Sequence, residues 1–282
     1  MINIGKKITE ELCQEVIDFY KTMPMSLDTV CDKFDLCTPT VSKILNKKSV
    51  PRWDKFLIYS PNFQENYFSE INTERKAYFL GLLLTDGNIF DKYKSKTHPP
   101  NINLTLQAED VYILDALRSE LCVNKKISQD GRGCFQFVVF SKHMADDLSR
   151  YGVVPNKSLT VQFPRNLPSD LYRHFIRGVF DGDGSVSFYA RPNRKVHTKA
   201  IRFCSGSHQF LIDLISFLEL YAGLSSLNTY QEKTNLWSVA YRSNKDLENI
   251  IPYLYNDATI YMRRKKEKCD LILNELRKYR DN

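Results

Sequence analysis

The chain has no run of about 18 apolar residues, the length a membrane-crossing helix needs. Its start, MINIGKKITEELCQEV, carries lysines but no continuous apolar stretch after them, so no secretory signal is expected. Cysteine is sparse: seven residues (Cys13, Cys31, Cys37, Cys122, Cys134, Cys204, Cys269), an odd count without a CxxC pair. That argues against a zinc ribbon, and scattered thiols fit a reducing compartment. Histidine is as scarce, with five residues (His98, His143, His174, His197, His208) and no ligand-spaced pair. These absences imply a soluble protein of a cell interior: a bacterial or phage-infected cytoplasm, or an organelle matrix.

Apolar residues are plentiful, 43% of 282, enough for one large core or two smaller ones. The 40 Lys+Arg exceed the 33 Asp+Glu by seven, a net charge of +7 that suits a polyanion partner.

Residues 1–50 read as a small all-α domain. Leu12, Val16, Ile17, Phe19 and Tyr20 recur at helical spacing after Thr9, an N-cap residue. A second helix is expected from Ser26 through Leu27, Val30 and Phe34, then a tight turn at Asp35, Leu36 and Cys37. A third starts at Thr38 with Pro39 in its first turn and Val41, Ile44 and Leu45 on one face. The pattern resembles a helix-turn-helix unit, in which Thr38, Thr40, Ser42 and Lys43 would face DNA, with Lys47 and Lys48 following. The bland alternative is a three-helix packing module. Residues 51–72 read as a linker, with two prolines and irregular apolar spacing.

From residue 73 the pattern repeats. A helix near 73–87, strands near 88–107, a helix at 110–122, strands near 126–140 and a helix near 142–150 come first. The order returns as a helix near 169–183, strands near 185–205, a helix at 208–222, strands near 226–242 and helices from 244 onward. The fold class is therefore α+β, with two pseudo-symmetric αββαββα halves at 73–160 and 161–282. The loops at Tyr93–Pro100 and Arg191–Lys199 are basic and long for hairpins.

The sharpest repeat is FLGLLLTDG, residues 79–87, against IRGVFDGDG, residues 176–184. In each, a glycine stands five residues before Asp-Gly. A mid-helix glycine costs about 1 kcal/mol relative to alanine. Its recurrence at one offset implies close backbone contact between two helices, below the usual separation of roughly 8–10 Å. The terminal glycine is expected to adopt a positive φ and turn the chain into a strand. Two such helices packed side by side bring Asp86 and Asp183 together. Close carboxylates repel, and a helix C-terminus disfavours anions, so the pair calls for a cation. Hard carboxylate oxygens suit Mg²⁺, a metal used in pairs for phosphodiester cleavage.

These two strings resemble the motif helices of single-chain LAGLIDADG homing endonucleases. Further similarity lies at Tyr151–Ser158 (YGVVPNKS), Phe163–Pro164, His174–Gly178 (HFIRG), and Leu254–Tyr255 through Arg263–Lys265, so that it spans about residues 74–270. The resemblance implies that Asp86 and Asp183 are the catalytic acids and that the backbone carbonyls of Thr85 and Gly182 also contact Mg²⁺, with Mn²⁺ able to substitute. Leu84 stands where Asp181 stands in the second copy, at a position that is not the metal ligand. The resemblance implies a basic residue near each active site: Lys157 in the first half, and Arg263 or Lys265 in the second. It also implies that the polar faces of the strands lie in the DNA major groove and that Gln107 sits near the metal waters. Those faces carry Asn101, Asn103 and Thr105, then Ser185, Ser187, Tyr189, Arg191 and Arg202. Asn and Gln can read adenine and Arg guanine. Ser205 lies about where Gln107 would map.

The expectation is a monomeric, site-specific double-strand DNA endonuclease, cutting with a stagger that leaves 3′ overhangs, as in intron homing. Two rivals share the fold: a non-cleaving DNA-binding transcription regulator, and an intron RNA maturase. An HNH nuclease is disfavoured by the histidine spacing. An intein is disfavoured because the chain starts at Met1 and ends Arg280-Asp281-Asn282. His174, nine residues before Asp183, reads as structural.

Overall fold

The structure, a computed structural model, describes residues 8–53, 55–90, 99–192 and 197–280. Most of the expected basic loop at 93–100, and residues 193–196 of the one at 191–199, fall outside them. The chain divides into two compact units, Met1–Gln64 with Arg118–Lys126, and Glu65–Leu117 with Ile127–Asn282.

In the first unit, α1 (Glu10–Lys21), α2 (Leu27–Phe34) and α3 (Thr38–Lys47) enclose a core of Val16, Ile17, Tyr20, Val30, Val41, Ile44 and Leu45. Thr9 and Ser26 cap α1 and α2 by accepting from the amides of Leu12 and Thr29. Asp35 closes α2 in the left-handed region, φ 53°, a conformation that short polar side chains tolerate. The connection between α2 and α3 is therefore three residues, Asp35 to Cys37. The stretch read as a linker holds a fourth helix, α4 (Lys55–Tyr59). Trp53, just before it, donates from Nε1 to the Tyr20 carbonyl at 2.8 Å.

Apart from Arg118–Glu120, the end of a helix, which belong to the first unit, the second unit carries both repeats. The first runs α5 (Glu74–Thr85), β1 (Gly87–Phe90), β2 (Asn101–Leu106), α6 (Val111–Glu120), β3 (Ser128–Gln129), β4 (Phe135–Phe140) and α7 (Lys142–Ser149). The second runs α8 (Tyr172–Asp183), β5 (Ser185–Tyr189), β6 (Thr198–Ser205), α9 (His208–Ala222), β7 (Tyr230–Lys233), β8 (Leu236–Tyr241), α10 (Asn244–Tyr255) and α11 (Arg263–Arg280). The sheets share one topology, β1-β2-β4-β3 and β5-β6-β8-β7, all antiparallel. In β2, Ile102, Leu104 and Leu106 are buried and Asn101, Asn103 and Thr105 half-buried, the alternation of a strand with one apolar face.

At the centre, α5 packs on α8. A methyl group on Gly81 would lie 2.1 Å from the Phe175 carbonyl, and one on Gly178 would lie 2.1 Å from the Tyr78 carbonyl. The contact is reciprocal, as the repeated glycine offset implied. α5 is apolar on every side, Ala77 to Leu84 all buried, as a central helix must be. The terminal glycines serve a different purpose from the expected one. Neither Gly87 nor Gly184 has positive φ. Instead, a methyl on Gly87 would meet the Leu83 carbonyl at 2.4 Å, and one on Gly184 would meet the Phe180 ring at 2.3 Å. They are glycines because the strand leaves the helix too tightly to admit Cβ.

A fully buried Arg177 ties the repeats together. It donates to Glu74 (2.7 Å), to the Ile260 carbonyl (2.9 Å) and to the Leu254 carbonyl (3.0 Å). Glu74 also accepts from the amide and hydroxyl of Thr259. His174 lies 2.8 Å from Arg177, and burial followed by that guanidinium pushes its pKa down to about 4. It is a neutral structural histidine.

Candidate active site

Asp86 is the C-cap of α5 and Asp183 the last residue of α8. The glycine contact brings the two helix ends together. A methyl on Gly182 would strike the Thr85 hydroxyl at 1.9 Å and approach the Asp86 Oδ2 at 3.2 Å, so the residue before Asp183 lies against Asp86. Desolvation, then the charge of Asp183, raises the Asp86 carboxyl to about 7. Asp183 opens to solvent, yet protein crowds it enough that desolvation raises its carboxyl too.

Two lysines answer this charge. Lys157 is buried and donates to the Gly87 carbonyl. Lys265 is buried and donates to the carbonyls of Phe180 (2.7 Å), Asp181 (2.5 Å) and Gly184 (2.6 Å). Each ammonium thus caps the exit of one motif helix, where unpaired carbonyls favour a cation. Burial lowers both, Lys265 to about 8, against the opposing pull of nearby carboxylates. Both lysines in turn act on Asp86 and on Asp183.

Helix direction separates Arg263 from Lys265 in space. Arg263 opens α11, is exposed, and lays its guanidinium over the Tyr112 ring at 4.4 Å. Lys265, two residues on, faces the acids. Asp181 is fully buried: it accepts from Tyr78 (2.9 Å), Tyr255 (3.2 Å) and the Met262 amide (2.7 Å). Burial lifts its carboxyl to about 6 despite the amide of Met262 and the charge of Lys265. It fixes the segment that carries Lys265 and does not join the pair. Its counterpart, Leu84, is buried at the end of α5.

The sheet registers settle another correspondence. Asn88 pairs with Asn103 and Ser185 with Arg202, so Thr105 matches Cys204, Leu106 matches Ser205, and Gln107 matches Gly206. The mapping of Ser205 onto Gln107 is therefore one residue out. Ser205 is buried and accepts from the Ser207 amide at 3.1 Å. Gln107 is exposed just beyond β2. Cys204 was missed by sequence reasoning; its thiol donates to the Asp183 carbonyl at 2.8 Å, and nothing short of the register marks it.

In β2 and β6 the candidate residues Asn101, Asn103, Thr105 and Arg202 are half-buried between buried neighbours, whereas β5 is half-buried on both faces up to Tyr189. Thr105 donates to Asn103 at 3.3 Å; Arg202 donates to Ser185 at 3.0 Å and pairs with Glu232 at 2.6 Å. Ser187 is half-buried, and Tyr189 and Arg191 are exposed. On α3, Lys43 and Thr38 are exposed and Thr40 and Ser42 half-buried. Lys47 and Lys48 both pair with Glu10, at 3.7 and 2.5 Å.

Among the described residues no group of three or more His, Cys, Asp or Glu could hold a metal. What the site offers is oxygen, the carboxylates of Asp86 and Asp183. That donor set, under mutual charge repulsion, fits a hard dication and not zinc. Among the described residues, no helix is long and apolar enough to cross a membrane, and all seven cysteines are free.

A LAGLIDADG-like domain model matches residues 170–254. The fold is similar to that of meganuclease I-SmaMI bound to uncleaveable DNA, with TM-score 0.52 and 12% identity over 75% of this chain and 92% of that one. It is similar also to the I-LtrWI LAGLIDADG homing endonuclease bound to target DNA, with TM-score 0.50 and 14% identity over 78% and 92%. A curated relative is the DNA-directed RNA polymerase subunit Rpo1C of Methanocaldococcus jannaschii, 24% identical over 211 residues, 71% of this chain. The chain spans about a fifth of that relative's length, 21%. Residues 170–254 thus match a LAGLIDADG-like domain, within a two-repeat unit whose fold is similar to that of LAGLIDADG homing endonucleases.

Proposed function

We propose that the chain is a monomeric, site-specific DNA endonuclease that hydrolyses one phosphodiester on each strand of a duplex, with 3′ overhangs. One observation carries this reading: α5 and α8 cross at paired glycines and present Asp86 and Asp183 side by side, each helix end capped by a buried lysine. The solved relatives of similar fold are described as bound to target DNA and to cleaved DNA.

Asp86 and Asp183, with the carbonyls of Thr85 and Gly182, would hold Mg²⁺, or Mn²⁺ in its place. Bound there, the metal supplies Lewis-acid activation of water and stabilisation of phosphate charge. Lys157 and Lys265 orient the water network beside the scissile phosphate and favour the developing negative charge. Gln107, exposed at the strand end, contacts those waters. Asn101, Asn103 and Thr105, and Ser185, Ser187, Tyr189, Arg191 and Arg202, read base edges in the major groove. The helix-turn-helix of residues 1–50, through Thr38, Thr40, Ser42 and Lys43, adds contact to flanking DNA.

The test is cleavage of a randomised duplex library in Mg²⁺ by the full chain and by Asp86→Asn and Asp183→Asn. The parent is expected to cut a restricted set of sites, and each variant to lose cutting by a factor of at least about 10³ while retaining DNA affinity. Variants that cut as well as the parent overturn the mechanism.

A further inference from the structure

The start of α11 is held from two sides. From its own repeat, Asp181 accepts the Met262 amide. From the other repeat comes a second grip. Asp110, 1% exposed, accepts from the Arg264 Nε at 2.8 Å. Tyr112 donates to the Tyr261 carbonyl at 2.9 Å and accepts from the Arg263 amide at 2.7 Å. These groups are 149 to 154 residues apart in sequence and meet only across the repeats. Asp110 also closes the turn that begins at Gln107, through its own amide to the Gln107 carbonyl at 3.0 Å. One brace therefore binds the strand end bearing Gln107 to the helix bearing Lys265.

Among the described residues, the other half shows no such brace. With the buried faces of α6 (Ile113, Leu114, Leu117) and α9 (Phe210, Leu211, Leu214) aligned, Asp110 matches Ser207 and Tyr112 matches Gln209. Ser207 accepts from the Phe210 amide and Gln209 donates to Asp213, so both stay within α9. There Gly206, the match of Gln107, packs its backbone on Ser158 beside Lys157, so closely that a methyl would lie 2.4 Å from the Ser158 carbonyl. Each repeat thus supports the lysine of the other, by bare backbone on one side and by an ion pair and a tyrosine on the other.

We infer that Asp110, Arg264 and Tyr112 are positioning residues for Lys265 and that they serve only one of the two strand cleavages. This rests on the endonuclease reading. Misplacing a reacting group by about 1 Å can cost up to roughly 10²-fold in rate. Loss of the brace lets the first turn of α11 shift, while Lys157 and its Gly206 contact stay in place.

The experiment uses the full chain and a duplex that the parent selects from a randomised library, with each strand labelled separately. Asp110→Asn, Arg264→Lys and Tyr112→Phe are compared with the parent for the rate on each strand, DNA affinity and melting temperature. Each is expected to slow one strand, the same one, by about tenfold or more, so that nicked duplex accumulates at unchanged affinity. Arg264→Lys separates positioning from charge: it keeps the cation and loses the fixed Nε geometry. If Arg264→Lys matches the parent, or if the variants slow both strands in proportion to lost melting temperature, the brace is structural only and the inference falls. Three variants at separate atoms keep the test standing should one fail to fold. A parent that nicks neither strand of any duplex overturns the endonuclease reading, and this inference with it.

Discussion

Replacing Gly178 with alanine places a methyl carbon 2.1 Å from the Tyr78 carbonyl and 2.9 Å from the Leu82 amide nitrogen. Ordinary carbon–oxygen contact needs a little over 3 Å, roughly the low end of van der Waals separation. Both obstacles are helix backbone, so no side chain can rotate away; the helices must part by about 1 Å along the contact. Overpacking of this kind costs up to about 3 kcal/mol. Alanine returns about 1 kcal/mol of helix propensity. The net loss is roughly 2 kcal/mol, or about 4–8 °C of melting temperature for a unit of this size. Gly131→Ala is the control: nothing lies within 4 Å of its methyl, and the change should stay within about 0.5 kcal/mol. Chemical and thermal denaturation measure both. A Gly178→Ala protein as stable as the parent, or more so, would refute the close crossing and with it the geometry that joins the acids.

Two further outcomes concern charge. The folded-state carboxyl of Asp86 is raised to about 7 from 3.8, so the folded chain binds the extra proton, and the stability this confers is lost as pH rises through 7. Between pH 5 and pH 8 in chelator, Asp86→Asn should therefore lose less stability than the parent, whereas Mg²⁺ should stabilise the parent progressively more strongly as pH rises to about 7 and then level off; calorimetry across pH checks both, and equal slopes for the two proteins would sink the assignment. Glu10 neutralises Lys47 and Lys48 at the end of α3. Glu10→Gln should tighten DNA binding several-fold at low salt and steepen the salt dependence by up to about two charges, read by titration at several ionic strengths; an unchanged slope would remove this surface from the DNA contact.

The parts of the site legible in the sequence are those built from local spacing. The glycine offset announced the crossing of α5 and α8, because only backbone contact explains Gly81 and Gly178 together. The alternation of Ile102, Leu104 and Leu106 announced a strand with a polar face. What was not legible depends on direction or on long-range pairing. Arg263 and Lys265 are two residues apart, and only the orientation of α11 decides which one reaches the acids. Ser205 and Gln107 differ by one step of register, which reverses the face of a strand. The roles of Gly87 and Gly184 were read as positive φ, when the cause is the crowding of the preceding turn. Asp181 looked like a spare acid, and its three donors come from Tyr78, Tyr255 and Met262, far away in the chain.

Covalent joining of the two repeats has a consequence for what they can recognise. Two identical subunits must repeat every residue, so any change on one sheet appears on the other, and the matching duplex is palindromic. Here the tether supplies the proximity that subunit contacts would otherwise provide, and each half is free to drift. Asn103 stands opposite Arg202, Thr105 opposite Cys204, and Leu106 opposite Ser205. On the endonuclease reading, the DNA that fits these two faces has two unlike arms, and the protein can settle on it in only one orientation.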